Sequence, residues 1–314
     1  YKMAEWMPYS ACVQARLGSV FCQQDRKRRI QHCMRHFSLF GKSAFLFGGD
    51  AMQLTEIIAT IEKVAAPSTQ AAWDCSGMQV AARRAEVEQL AVCLDPTPAS
   101  VAAALDKGAH FLLSHHPLLL KPRLPRRLDA YHEVLRLLLG ADVPLYACHT
   151  SLDVNSAGPA AWVADELGLT ARAVIEPTAP APEGAALPLG FGLAGDLPAP
   201  QPPSAILQRL SRWLDLSTTT LCGPLPEQVR RIGYCTGSGS SLLEDAARCG
   251  VEFFITGDVK YHTALDAEIC TADVGHHSLE EEMMRRMCTL LQSLLPGVNV
   301  FFVPSLSPLR PWAA

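Results

Sequence analysis

A chain of 314 residues, 49% hydrophobic and 18% charged, has enough apolar residues to bury a substantial core in one large or two medium domains. A formal net charge of −4 provides no basic stripe of the kind nucleic acids require, and no stretch nears the roughly 18 to 20 apolar residues of a membrane span. Eleven cysteines, an odd number with no C-x-x-C pair, argue against a disulfide framework or a cysteine zinc knuckle, so a soluble protein of the reducing cytoplasm is expected.

Residues 1–51 carry the basic cluster "DRKRRIQHCMRHF" and no alternation that reads as a strand. They are expected to be an N-terminal extension, disordered or upstream of a true start at Met52, because the h-region and cleavage site of a secretory signal are missing. A transit peptide is the competing reading of a segment so basic and poor in acids. From Met52 the pattern changes: "MQLTEIIATIEKV" places Leu54, Ile57, Ile58 and Ile61 on one helical face. "EQLAVCLD" reads as a strand. Thr97 then caps a helix whose first residue is Pro98, Gly108 stops it, and "HFLLSHH" is the next strand, completing a βαβ unit. "DAYHEVLRLLLG" predicts a helix, "VPLYACHT" a strand and "GPAAWVADELGL" a helix.

The Pro/Ala/Gly stretch at 176–188 predicts a linker between an α/β lobe at 52–175 and another at 189–314. Beyond it come the strand "FGLAGDL", the helix "SAILQRLSRWLDL", the strands "STTTLCG" and "VRRIGYC", and a resumed βα pattern. The expected class is α/β with two related lobes.

The relation between the lobes is visible as a repeat. "AVCLDPTPASVAAALDKGAHFLLSHH" (91–116) and "GYCTGSGSSLLEDAARCGVEFFITGD" (233–258) align at a constant offset of 142, matching Cys93 with Cys235, Gly108 with Gly250 and Phe111 with Phe253. "HTSLD" at 149–153 is echoed by "HHSLE" at 276–280, at an offset of 127.

Ligands of open α/β sheets gather beyond the carboxyl ends of the strands, where "HFLLSHH" delivers His115 and His116. Successive strand side chains point to opposite faces, so each histidine is expected to hold its own ion, with Pro117 fixing the divergence. His149 with Asp153, and His276 with Glu280, stand at matching strand ends, each acid entering the first turn of a helix; Ser278 and Glu281 supply a capping-box pattern. Imidazoles bind zinc, iron and related ions, and carboxylates bridge them, so the sum is a dinuclear site. His110, His132, His262 and His277 read as structural or solvated, and Cys93, Cys148 and Cys235 as small buried residues. "TGSGSS" (236–241) offers backbone amides to a phosphate but reads better as a tight turn. In "TGDVKYH", Asp258, Lys260 or His262 would fall near the site, with Lys260 a surface lysine by default.

In this order, "SHHPLLLKP", "HTSLD", "ITGDVKYHTALDA" and "GHHSLE" resemble the Ngg-interacting-factor-three-like family, whose bacterial members are called GTP cyclohydrolase 1 type 2 homologues. "DCSGMQV" (74–80) resembles its D-N-x-G-L-Q-V signature, with Cys75 and Met78 departing from it. The resemblance runs from Met52 to "FFVP", in the length of the short form. It implies a two-lobed α/β protein, a ring-shaped homohexamer, and a dinuclear divalent-metal site between the lobes. The implied ligands are His115, His116, Asp153, His276 and Glu280, the last bridging both ions. His149 is then left beside the ligand set, orienting a ligand or bound water, and His277 stands where the family has tyrosine.

Two ions about 3.5 to 4 Å apart bind a bridging water, acidify it and orient a polarised electrophile. The expected activity is therefore that of a metal-dependent hydrolase acting through a metal-bound water on a nucleotide or related small molecule, GTP by the family's label. A phosphoester or a cyclic amidine-like compound is equally compatible, and no residue is singled out as catalytic. The alternative is a noncatalytic metal-binding ring or metal-handling protein. Zinc, iron and manganese all suit mixed nitrogen and oxygen donors. Nucleic-acid handling would require salt-dependent binding, which the acidic balance disfavours.

Overall fold

A computed structural model describes residues 51–312. The expectation for residues 1–51 therefore lies, save for Ala51, outside the described residues. In chain order the elements are β1 (Met52–Gln53), α1 (Leu54–Val64), β2 (Gly77–Val80), β3 (Glu86–Val87), β4 (Gln89–Cys93), α2 (Pro98–Asp106), β5 (Phe111–Ser114), α3 (Ala130–Ala141), β6 (Leu145–Ala147), α4 (Thr150–Asp153) and α5 (Trp162–Leu167). They continue as β7 (Thr170–Ala179), β8 (Leu189–Gln201), α6 (Pro203–Leu210), β9 (Thr220–Cys222), β10 (Val229–Ser238), α7 (Leu243–Arg248), β11 (Phe253–Gly257), α8 (Tyr261–Leu265), β12 (Cys270–Asp273), α9 (His276–Leu294) and β13 (Asn299–Phe302).

Local chemistry sets these boundaries. Thr97 caps α2 with its hydroxyl while Ser100 answers the Thr97 amide, a reciprocal capping box with Pro98 already at a helical φ. Asp129 caps α3 by accepting from the His132 amide at 3.1 Å. Gly168 closes α5 in the left-handed region, which glycine enters without a Cβ clash. Among the described residues, no helix is long and apolar enough to cross a membrane.

Two sheets form the frame. One has the order β13-β4-β5-β6-β2, the other β7-β8-β10-β11-β12-β9. The repeat is realised in their register: Leu90 pairs with Phe111 in parallel, and Ile232 pairs with Phe253 in parallel, each 142 residues on. β6 and β12 extend the parallel strands, and each is flanked by an antiparallel strand, β2 and β9. Side chains alternate across every strand. Leu90, Val92, Phe111 and Leu113 join Ile232, Tyr234, Phe253 and Ile255 in one core shared by both sheets, whereas Ala91, Cys93 and Leu112 pack under α2 and α3, and Phe254 and Cys235 under α7. Each fully buried large side chain contributes about 1.5–3 kcal/mol, so this shared core binds the sheets together.

Helix α9 runs through the middle, touching β4 and β13 of one sheet and β10 and β11 of the other. Its apolar row of Leu279, Met283, Met287 and Leu291 follows the helical repeat into the core.

The 176–188 stretch is built differently from the expected linker. Residues 176–179 continue β7, pairing Glu176 with Phe191 and Pro177 with Gly190, so only 180–188 form a loop at the tip of a hairpin. Proline is accommodated because β7 is an edge strand with amides free of a second partner. Nor does the chain after 188 stay in one sheet, since β13 returns to pair with β4.

Candidate metal centre

The five expected ligands come from three separate strand ends, those of β5, β6 and β12, and converge. His115 and His116 follow β5, their amides donating to the Leu94 carbonyl at 3.1 Å. Asp153 ends the one-turn α4, and His276 and Glu280 lie one turn apart at the start of α9. Glu280 is the hub, with its side chain only 4% exposed. Its Oε1 lies 3.4 Å from Nε2 of His115, while Oε2 lies 3.2 Å from Nε2 of His116 and 2.8 Å from Nε2 of His276. Asp153 Oδ2 completes the Oε1 side, 3.8 Å from the fully buried His115. Two groups with metal-ligand spacing result, His115/Asp153/Glu280 and His116/His276/Glu280.

The carboxylates and carbonyls behind the histidines explain which nitrogen points inward. Nδ1 of His115 donates to the Cys148 carbonyl at 3.1 Å, and Nδ1 of His116 is bound to Asp95 at 2.7 Å. Nδ1 of His149 is bound to Asp74 at 2.8 Å, and Nδ1 of His276 to Asp258 at 2.7 Å. Every imidazole is thus gripped from behind and presents Nε2 forward, the arrangement by which outer partners orient metal-binding histidines. The fit to cations is visible in what lacks a partner: the buried Nε2 of His115, Nε2 of His276 and Oε2 of Glu280 make no well-oriented hydrogen bond. Such orphans are costly unless an ion satisfies them.

Electrostatics point the same way. Burial disfavours the Glu280 carboxylate, but His115, His116 and His276 together hold it well below its ordinary range. Burial pushes the His116 imidazole down, yet hydrogen bonds to Asp95 and Glu280 outweigh it and raise it to about 10; the same balance with Glu280 and Asp258 raises His276 to about 9. Burial pushes Asp153 upward, opposed by His115 and reinforced by Glu280.

Several expectations need correction. The His115 and His116 rings do not diverge across a strand: they lie 4.9 Å apart at a 56° tilt, because β5 ends at Ser114 and strand alternation ends with it. The two rings nevertheless join different carboxylate oxygens. There is no capping box at Ser278 and Glu281, since α9 begins at His276 after Gly275, whose φ of 86° makes the turn. Ser278 donates to the Asp215 carbonyl instead, and Glu281 accepts from both the amide and hydroxyl of Ser305. His149 stands closer than expected, with one ring nitrogen within 4.8 Å of those of His115 and His116. His277 bonds Ser305 through Nε2 at 2.9 Å, a structural contact.

"TGSGSS" proves to be part of the centre's wall. Thr236 donates to Asp153 at 3.1 Å, and Gly237, at φ 62°, lies so close to Glu280 that a Cβ there would overlap Oε1. Lys260 is exposed, Cys93, Cys148 and Cys235 are buried, and burial pushes all three thiols far above their usual range. Sequence reasoning passed over Asp95 and left Asp74 only as a motif letter. The available signal was position, since Asp95 stands two residues past the end of β4, where β4 and β5 end together.

The sequence matches the profile of Duf34/NIF3 (NGG1p interacting factor 3) over residues 52–308. Proteins named GTP cyclohydrolase 1 type 2 homolog are similar to it: that of Clostridium perfringens is 28% identical over 80% of this chain and 96% of its own, and that of Escherichia coli 31% identical over 68% and 82%. Among solved structures, a Bacillus cereus protein related to NIF3 superposes with a TM-score of 0.73 at 20% identity, covering 84% of this chain and 99% of its own. A hypothetical protein of Staphylococcus aureus gives 0.73 at 24% identity, with 84% and 100% covered. The two-sheet fold is therefore shared with these structures, and the chain belongs to the Duf34/NIF3 (NGG1p interacting factor 3) family.

Proposed function

We propose that this protein binds two divalent cations and is a metal-dependent hydrolase of a nucleotide or related small molecule. The observation that carries the reading is the division of Glu280, one oxygen toward His115 and the other toward His116 and His276, with buried donor atoms left over on both sides. His115 and Asp153 would hold one cation, His116 and His276 the other, and Glu280 both. Zinc, iron and manganese are the candidates for such nitrogen and oxygen donors. A pair of such cations acidifies water and polarises an electrophile.

The chain's own residues supply the rest. Asp95, Asp258 and the Cys148 carbonyl fix three imidazoles, so little reorganisation accompanies the reaction. Asp74 binds Nδ1 of His149 and so fixes the orientation of that ring beside the centre. The name carried by the relatives makes GTP the first nucleotide to try. Self-association into a hexameric ring belongs to the same reading, supported by exposed Leu124 and Leu128 on the loop between β5 and α3.

Elemental analysis of gently purified protein, followed by a nucleotide hydrolysis screen with products identified by mass spectrometry, tests the proposal. Two divalent ions per chain and turnover lost in Glu280→Gln are expected. Full metal content without turnover of any nucleotide or related compound would favour a metal-handling role.

A further inference from the structure

A cleft of about 450 Å³ opens onto His116 and His276, within the range of small-molecule sites. Its walls come from the Leu94–Asp95 strand end, the 215–218 loop, the first turn of α9 and the 305–309 segment. Leu306 and Leu309 of that last segment are 92% and 70% exposed, an apolar strip beside the site. Ser305 anchors the strip by donating its amide and hydroxyl to Glu281.

The charge of this cleft is specific. Its lining includes Asp95, Asp215 and Asp258 and, among the described residues, no lysine or arginine. Two divalent cations would bring four positive charges, and Glu280, Asp153, Asp95 and Asp258 already carry four negative ones. Asp215 adds another, exposed and, among the described lining residues, with no lysine or arginine beside it. The start of α9 contributes only a fractional positive charge of about one half. Among the described residues that line the cleft nothing remains to neutralise a chain of phosphates, and like charges in a partly enclosed site repel strongly.

We propose that the cleft selects an uncharged, ring-sized polar substrate of the cyclic amide or amidine class and discriminates against polyphosphates, so that the nucleoside part of a nucleotide, and not its phosphates, is what it recognises. This rests on the dinuclear reading for the position and charge of the cations. Hydroxyls of Ser217, Thr218, Ser278 and Ser307 supply hydrogen bonds that need no ionic partner, and the leucine strip covers a ring face.

The test is equilibrium dialysis of the metal-loaded full chain against guanosine, GMP and GTP, at low and at physiological ionic strength, with metal content read after each run. Guanosine should bind, and affinity should fall by about tenfold or more from guanosine to GTP, with the gap narrowing as salt screens the carboxylates. Asp215→Lys, a change at an exposed side chain, should shrink that gap at low salt while metal content stays constant. Tighter binding of GTP than guanosine, no binding of guanosine, or a ratio unmoved by Asp215→Lys overturns the proposal. Hydrolysis is read separately: guanosine bound with these trends but not consumed would sink the hydrolase reading and leave the selectivity standing.

Discussion

Asp74 and His149 lie 75 residues apart in sequence, yet Oδ1 of Asp74 accepts a 2.8 Å hydrogen bond from Nδ1 of His149. The other oxygen, Oδ2, accepts from the Thr150 amide at 3.0 Å, from the Thr150 hydroxyl, and from Ser76 at 2.9 Å. One fully buried carboxylate thus ties the segment before β2 to α4 and sets the tautomer of a histidine at the centre.

Asp74→Asn should therefore cost about 1–3 kcal/mol of stability, because an amide presents one acceptor where two are used and leaves buried donors unpaired. Burial disfavours the Asp74 carboxylate, but bonds from His149 and Thr150 outweigh this and hold it far below 3.8. A carboxyl depressed by folding contributes stability that is complete above its unfolded pKa and lost as pH falls through the folded one. Urea unfolding of both proteins should give a constant difference from about pH 5 to 8, shrinking in stronger acid.

Glu280→Gln removes the charge shared by both halves of the centre while keeping its volume. Metal content by mass spectrometry of the native protein should fall from two ions to fewer than one per chain. Circular dichroism should be unchanged, since the helix keeps its core row of Leu279, Met283, Met287 and Leu291. Retention of both ions would sink the bridging role.

Metal uptake should release protons. In the metal-free protein His116 and His276, raised to about 10 and about 9, are protonated at neutral pH, and a cation must displace those protons. Calorimetry in two buffers of different ionisation enthalpy should show release on the order of two protons per chain, and apparent affinity should rise with pH. The metal-free protein itself should behave oppositely: imidazoles raised above 6.5 by folding stabilise it fully below that pH, and the contribution is lost as pH climbs through about 9 to 10.

Gly237→Ala should damage the centre specifically. The left-handed backbone alone costs about 1–2 kcal/mol for a residue with a side chain, and here the added methyl also displaces Glu280. Gly108→Ala provides the control, because its φ is 79° but nothing lies within 4 Å of the added atom. Both variants should lose stability in urea, Gly237→Ala the more because of the added overlap, whereas only Gly237→Ala should lose metal.

The alternation of "EQLAVCLD" and "HFLLSHH", the Thr97–Pro98 start of α2 and the repeat at offset 142 are local patterns. They determined the strands, the helix and even the shared register of β4–β5 and β10–β11, because side-chain period and capping depend on near neighbours. The same local grammar made 176–188 look like a linker. Proline and alanine there have an edge-strand meaning that depends on which strand lies alongside, and only β8 supplies it.

The sequence by itself determined the candidate donor types and their places at strand ends, His115, His116, His149, Asp153, His276 and Glu280. Tertiary structure decided how those ends meet: α9, buried between the sheets, carries Glu280 to within reach of three imidazoles, Asp95 and Asp258 arrive behind His116 and His276 from other strand ends, and Asp74 arrives behind His149. Such partnerships have no sequence period, since they are fixed by core packing between segments up to 165 residues apart, from His115 to Glu280.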